Sequence, residues 1–370
     1  MRWLFDLRLE RGLVWIGIFM SIAALGAVAF VMSGVFNVAA NVRHFGITEK
    51  IIGLALDRSV ALRGGGSIEQ ELDEPGLVRL GALHFEIGCA ACHGRPGQPA
   101  SPIAQNMYPA PPSLDGAATE WSDSELAWIV YSGLKMTGMP AWSGKGREEE
   151  VWPLVAYIKA LPEIDNSEYS VLVRPAIAPD VPMALGPIQA TVQYCESCHG
   201  SASEAPVTSM VPPLSIQSPR YLHRSLEIYR ENLRQSGIME PIAAELTDET
   251  ISALASHFGR RAPSPPVPPA NGEVSEGARL AWRGAPARDI PACFGCHGKE
   301  ASPQFPQLQG LSERYVGRQL ELFRSGVRAP TPEAQVMARI ARRLSDADVK
   351  AVADYIGQMA GGAQQVEAAR

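Results

Sequence analysis

Residues 13–36 read LVWIGIFMSIAALGAVAFVMSGVF, 24 positions without a charged side chain. Coiled at about 1.5 Å per residue the run reaches about 36 Å, longer than a hydrocarbon core of roughly 30 Å, so it predicts a transmembrane helix. It exceeds the roughly 7–15 apolar residues of a signal-peptide core, although VAA at 38–40 leaves cleavage open as the alternative. Beyond it the pattern breaks into short amphipathic segments. GLVRLGALHFEIG (76–88), PIQATVQY (187–194) and EGARLAWRG (276–284) each predict a helix, and each runs into a cysteine pair. Later segments repeat apolar residues at helical spacing, with Trp152, Val155 and Ile158 in one and Val349, Val352 and Ile356 in another. Thr247 and Ser345 stand as N-caps of TDETISALASHF and SDADVKAVADYI, with acids in the first turn. Proline-rich stretches at 173–187 and 260–273 read as linkers, the second a semi-rigid spacer, and 359–370 as a frayed tail.

The resulting picture is all-α. An anchor at 1–45 is followed by three units over 72–165, 186–260 and 273–360. The 34 glycines and 30 prolines among 370 residues fit short helices joined by turns rather than a large sheet. A formal charge of −6 leaves no basic stripe for phosphates, which excludes a nucleic-acid partner. Basic residues flank the apolar run on both sides (Arg2, Arg8 and Arg11 before it, Arg43 and Lys50 after), so charge alone does not orient it.

All six cysteines fall in three equal frames: Cys89, Cys92 and His93 in CAACH; Cys195, Cys198 and His199 in CESCH; Cys293, Cys296 and His297 in CFGCH. Cysteines at i and i+3 share one face of a helical turn, where both sulfurs can bond the two vinyl groups of one porphyrin edge. The next histidine then offers its imidazole to the iron. A thioredoxin-like pair needs no histidine, and a zinc ribbon would bring two pairs into one small domain rather than 106 and 98 residues apart. Three covalently bound haem c groups are therefore expected. Attachment of haem c takes place outside the bacterial cytoplasmic membrane, which puts the haem units in the periplasm behind a single-pass anchor.

The sixth iron ligand points to methionine. Met239 lies 40 residues after His199 and Met337 lies 40 after His297, each followed seven residues later by a leucine and a capped helix. In the first unit Met139, in TGMPAW, is preferred over Met136 because the following proline holds the thioether in a loop. Met337 also fits an amphipathic helix, EAQVMARIARRL, in which it would only pack. His44, His84 and His223 are set aside as ligands. His257 reads as a helix-packing residue in register with Tyr157 and Tyr355. Arg220 and Arg314, at matched positions, read either as haem-propionate partners or as solvated arginines.

With these motifs in view, residues 76–162 resemble a class I cytochrome c domain through GCAACHG, MYPAPPSL, GLKMTGMPAW and VWPLVAYIKALP. Residues 186–260 and 275–358 resemble each other and the tandem domains of two-haem cytochromes of the c-four type. The whole chain is similar to membrane-anchored three-haem cytochromes c of bacterial respiratory chains. The resemblance implies one transmembrane helix followed by three tandem class I cytochrome c domains, with His/Met ligation. Such iron carries electrons and leaves no open site for a substrate. The expected donor is a quinol-oxidising complex or a dehydrogenase, and the expected acceptor a terminal oxidase or a soluble cytochrome. The alternatives are a cytochrome subunit dedicated to one membrane dehydrogenase, or a haem enzyme or gas sensor with one five-coordinate iron in the third unit.

Overall fold

The computed structural model describes residues 2–39, 42–65, 72, 74, 76–174, 188–259, 275–298 and 302–368. The expected linkers lie outside the described residues apart from Val173 and Arg174. Helices dominate what is described, with two isolated bridges, Arg95 to Gln98 and Ala285 to Ile290, as the only extended pairing among those residues. The first helix, Arg2–Met32, contains a 21-residue stretch, Gly12–Met32, of mean hydropathy 2.3, none of it buried among the described residues. It is long and apolar enough to cross a membrane.

Three buried apolar clusters lie along the chain after it. In the first, the Leu77–Gly88 helix crosses Trp152–Ala160 at Gly81. A Cβ there would fall 1.8 Å from the Pro153 carbonyl oxygen, so only glycine lets the two backbones touch. The third cluster repeats the crossing: a Cβ on Gly277 of Glu276–Arg283 would meet the Ala351 carbonyl at 1.9 Å. Tyr157 and Tyr355 sit beside these two glycines, as their shared register suggests. His257 departs from them. It is exposed, its ring edge-on to Phe258 at 5.0 Å, so the packing role expected of it does not hold.

The second cluster is the thinnest, with Val192, Leu222, Leu246, Ile251, Leu254 and Phe258 at its centre. A unit of about 70 residues with so little apolar contact needs something else to fill it.

Two elements extend the first unit beyond its expected limits. The Asn166–Leu172 helix adds buried Tyr169, whose hydroxyl donates to Glu86, to the core past residue 165. The Gly46–Gly64 helix packs on Asp123–Ser132, with Gly64 against the Glu125 backbone. Its apolar residues Ile47, Ile51, Leu54 and Leu62 point outward, which hid it from a search for one buried face. At the other end the Asp346–Ala368 helix continues over residues 359–368 of the expected tail, across Gly361 and Gly362, where alanine, glutamine and glutamate are good helix formers.

Candidate cofactor sites

Each Cys-x-x-Cys-His motif ends a helix or helical turn: Ala90–His93, Ile188–His199 and Phe294–His297. At Gly94 and Gly200 the chain turns back with φ of +78° and +69°, a region glycine enters without strain. Downstream of its motif, each unit supplies a proline carbonyl that reaches the motif histidine. His93 Nδ1 lies 2.9 Å from Pro112 O, His199 Nδ1 2.7 Å from Pro212 O, and His297 Nδ1 2.8 Å from Pro306 O. A carbonyl only accepts, so each Nδ1 carries the proton and each Nε2 keeps its lone pair for a metal. Burial also lowers the pKa of His199 and His297, partly offset by the proline carbonyls, which favours the neutral ring that ligates.

The thiols tell against other cysteine chemistry. Burial pushes Cys89 up to about 11, Cys195 to about 12 and Cys293 to about 11, the opposite of the lowered thiol of a redox-active pair. None of the six is in a disulfide. Among the described residues, no three His, Cys, Asp or Glu side chains converge as a side-chain-only metal site requires. One histidine per motif with two nearby sulfurs suits a cofactor that brings its own equatorial ligands.

The second and third motifs open into one cavity of about 1760 Å³. That exceeds the roughly 300–1,000 Å³ that ordinarily houses one small molecule. Cys195, His199 and Met239 line one part of it; Cys293, His297 and Met337 line the other. The Leu77–Gly88 helix of the first unit forms part of the wall through Leu80, Leu83, His84 and Ile87. Cys89, His93 and Met139 do not line it, so the first motif stands outside this cavity.

Between the second and third motifs lie two arginines with no carboxylate partner among the described residues. Arg234 donates to the Tyr315 hydroxyl at 3.2 Å and to Gln319 Oε1 at 3.4 Å, while Arg328 donates to the Tyr221 hydroxyl at 3.2 Å and to Gln319 as well. Arg234 stacks on Tyr229 with its guanidinium carbon 4.6 Å from the ring centre, and its Nε is buried without a partner. Burial alone would raise Tyr221, yet Arg328 and Arg234 bring it down to about 8. Arg234, a buried cation facing the cavity with an orphaned donor and sharing Gln319 with half-buried Arg328, needs an anion. The propionates of haem supply one, and with the apolar walls and the oriented imidazoles the residues fit haem c.

Arg220 and Arg314, read either as propionate partners or as solvated arginines, are placed differently. Arg314 makes an ion pair with Glu74 of the first unit, while Arg220 is exposed at the cavity rim. Spacing selected Arg220 and Arg314 because they precede matched tyrosines. The tyrosine hydroxyls themselves, Tyr221 and Tyr315, mark where Arg328 and Arg234 converge, and only folding brings these four together.

The methionines differ in setting. Met139 is half-buried in a loop, its N–H donating to Thr137 Oγ1 at 3.1 Å, whereas Met136 is 73% exposed with φ of +62°. Met239 begins the Met239–Ala244 helix and Met337 lies within Pro332–Ala341; both are half-buried and line the cavity. Met337 is carried by a helix, as its amphipathic pattern predicts, and it also lines the cavity. Sequence reasoning set His84 aside, yet it lines the cavity wall with Nδ1 buried and unpartnered, and burial lowers it to about 4.

Comparison with known proteins bears on these sites. Residues 76–158 match the family described as cytochrome c oxidase, cbb3-type, subunit III, and residues 275–360 match the family described as cytochrome c. The thiosulfate dehydrogenase electron acceptor of Stutzerimonas stutzeri is 38% identical over 171 residues, 45% of this chain and 78% of that protein. Cytochrome c4 of Pseudomonas aeruginosa is 31% identical over 172 residues, 45% of this chain and 85% of that protein. A solved structure of cytochrome c4 from Acidithiobacillus ferrooxidans, 31% identical, covers 44% of this chain and 96% of that chain with a TM-score of 0.38.

Proposed function

Since the chain belongs to the cytochrome c family, electron-transfer proteins with covalently bound haem c, we propose that it is a membrane-anchored, periplasm-facing cytochrome with three haems. Its role is to carry electrons in a respiratory chain from a quinol-oxidising complex or a dehydrogenase to a terminal oxidase or a soluble cytochrome. The observation that carries this reading is the single cavity holding two of the three motifs, which lets two cofactors lie within one wall. Haem c, when bound, supplies a one-electron couple whose potential is raised by thioether ligation.

The chain's own residues have distinct tasks in this scheme. Cys89 and Cys92, Cys195 and Cys198, and Cys293 and Cys296 attach the three groups. His93, His199 and His297, oriented by their proline carbonyls, would supply the imidazole ligands. Met139, Met239 and Met337 would each offer a thioether as the second protein ligand, which would exclude substrate and favour electron carriage over bond chemistry. Arg234 and Arg328 neutralise carboxylates between the second and third groups. The Gly12–Met32 stretch holds the protein to the membrane.

Redox titration of the purified protein, followed optically, tests this reading. Three low-spin, high-potential haems with a methionine-to-iron charge-transfer band are expected, and a high-spin component would overturn the ligand assignment. Release from native membranes by detergent but not by salt tests the anchor.

A second reading narrows the donor. The similarity to thiosulfate dehydrogenase electron acceptors favours a periplasmic dehydrogenase as the source of electrons, with this chain as its dedicated cytochrome partner. Affinity purification from native membranes separates the two, since a stoichiometric dehydrogenase subunit supports the second.

A further inference from the structure

The Met239 loop is held by the first unit as well as by its own, where Glu240 Oε1 accepts the Ser236 N–H at 2.6 Å. Glu150, in the helical turn Glu148–Val151 that leads into Trp152–Ala160 of the first unit, is buried against the second. Its Oε1 accepts from the Ser236 hydroxyl at 2.7 Å, and its Oε2 accepts from the Gly237 N–H at 2.7 Å. Trp142 Nε1, three residues after Met139, donates to the same Oε2 at 3.0 Å, and Arg147 pairs with Oε1 at 2.8 Å. Ser236 passes the connection on, because its Oγ accepts the Met239 N–H at 3.1 Å and the Ile238 N–H at 3.4 Å. The packing is equally close. A Cβ on Gly237 would lie 2.2 Å from the Trp142 indole, and one on Gly144 would lie 2.5 Å from Gly237 N.

We propose that Glu150 is the positioning residue for Met239, so that axial ligation of the second haem is set from the first haem unit. The inference rests on the reading of Met239 as the sixth ligand. A methionine at the first position of a six-residue helix has little local support of its own. The hydroxyl that receives its N–H is in turn held by a carboxylate buried in the neighbouring unit. Four donors converge on that carboxylate, so its place is over-determined and the loop inherits its rigidity.

The test uses the full-length holoprotein with Ser236→Ala, Glu150→Gln, the double variant, and Met239→Ala as reference. The readouts are the methionine-to-iron charge-transfer band of the oxidised protein and the three midpoint potentials. Met239→Ala is expected to remove about one third of the band, one of three such bonds, and to lower one potential. Ser236→Ala and Glu150→Gln are expected to weaken the band and lower that same potential, with the double variant no worse than either alone. The sign is diagnostic. Loss of a negative charge by itself raises a haem potential, whereas loosening of the thioether lowers it, and Ser236→Ala changes no charge. A full band in Ser236→Ala and Glu150→Gln, or a raised potential with the band intact, overturns the proposal while Met239→Ala still supports the ligand. An unchanged band in Met239→Ala overturns the ligand reading itself. If Glu150→Gln fails to incorporate haem, Ser236→Ala decides alone.

Discussion

Gln217 and Gln307 exchange a pair of hydrogen bonds across the second and third units. Gln217 Nε2 donates to the Gln307 carbonyl at 3.0 Å, and the Gln307 N–H donates to Gln217 Oε1 at 2.9 Å. Gln307 directly follows Pro306, whose carbonyl orients His297. One side-chain amide of the second unit thus braces the segment that aims a ligand in the third. Gln217→Ala leaves a backbone donor and acceptor without partners, and a loss of about 1–3 kcal/mol is expected in chemical denaturation of the holoprotein. A change in the third haem's circular dichroism, with the first unchanged, would accompany it.

Replacing each proposed methionine ligand opens one iron. Met139→Ala, Met239→Ala and Met337→Ala should each let the reduced protein bind about one carbon monoxide per chain, against none for the wild type. Met136→Ala serves as control. Its side chain is 73% exposed, and it should leave ligand binding unchanged. Carbon monoxide binding by the wild type at the third haem would instead favour the enzyme or sensor alternative.

Arg234→Met tests the buried cation. Removing a positive charge beside the cavity stabilises the oxidised iron, so the potential of the second or third haem should fall. The expected size is on the order of 60 mV, a tenfold change in a one-electron equilibrium. Optical redox titration reads it directly. The first haem, whose motif lies outside this cavity, should keep its potential.

Asp348 gives the third unit an acid-sensitive clasp. Arg288 holds its carboxyl well below the usual carboxylate range with bonds of 2.7 and 3.1 Å, and burial opposes this without reversing it. The Ser345 hydroxyl and N–H add two further bonds. The folded form therefore binds fewer protons than the unfolded chain, whose aspartate titrates near about 3.9. The contribution is fully present above that pH and is lost as the pH falls toward the lower folded value. Asp348→Asn is expected to cost about 2 kcal/mol at pH 7. It should also flatten the fall in stability below about pH 4, as measured by denaturation across a pH series.

The local parts of this protein were legible in the order of its residues. Three Cys-x-x-Cys-His frames name their chemistry because a helical turn alone brings two sulfurs and an imidazole to one side. Gly81 and Gly277 lie in the helices that lead into the first and third motifs, and Thr247 and Ser345 cap their helices as the acids after them indicate. The equal spacing of Met239 and Met337 singled out two residues that do line a cavity beside their histidines.

Spacing left open whatever depends on distance through space. That two motifs share one cavity and the first stands apart is a consequence of how the units dock. The docking rests on pairs such as Arg318 with Glu149 at 2.6 Å, which lie 169 positions apart in sequence. Arg234 and Arg328 look like ordinary surface arginines until folding buries the first and brings both to one cavity and one glutamine, with no carboxylate partner among the described residues. Glu150 reads as the last of three acids in REEEVW, and His84 as a histidine too near Cys89 to matter. Sequence by itself determines chemistry confined to one helical turn, because covalent geometry carries it. The company kept by Glu150, Arg234 and His84 was decided only by tertiary structure, since a buried charge takes its meaning from neighbours that the chain order does not place beside it.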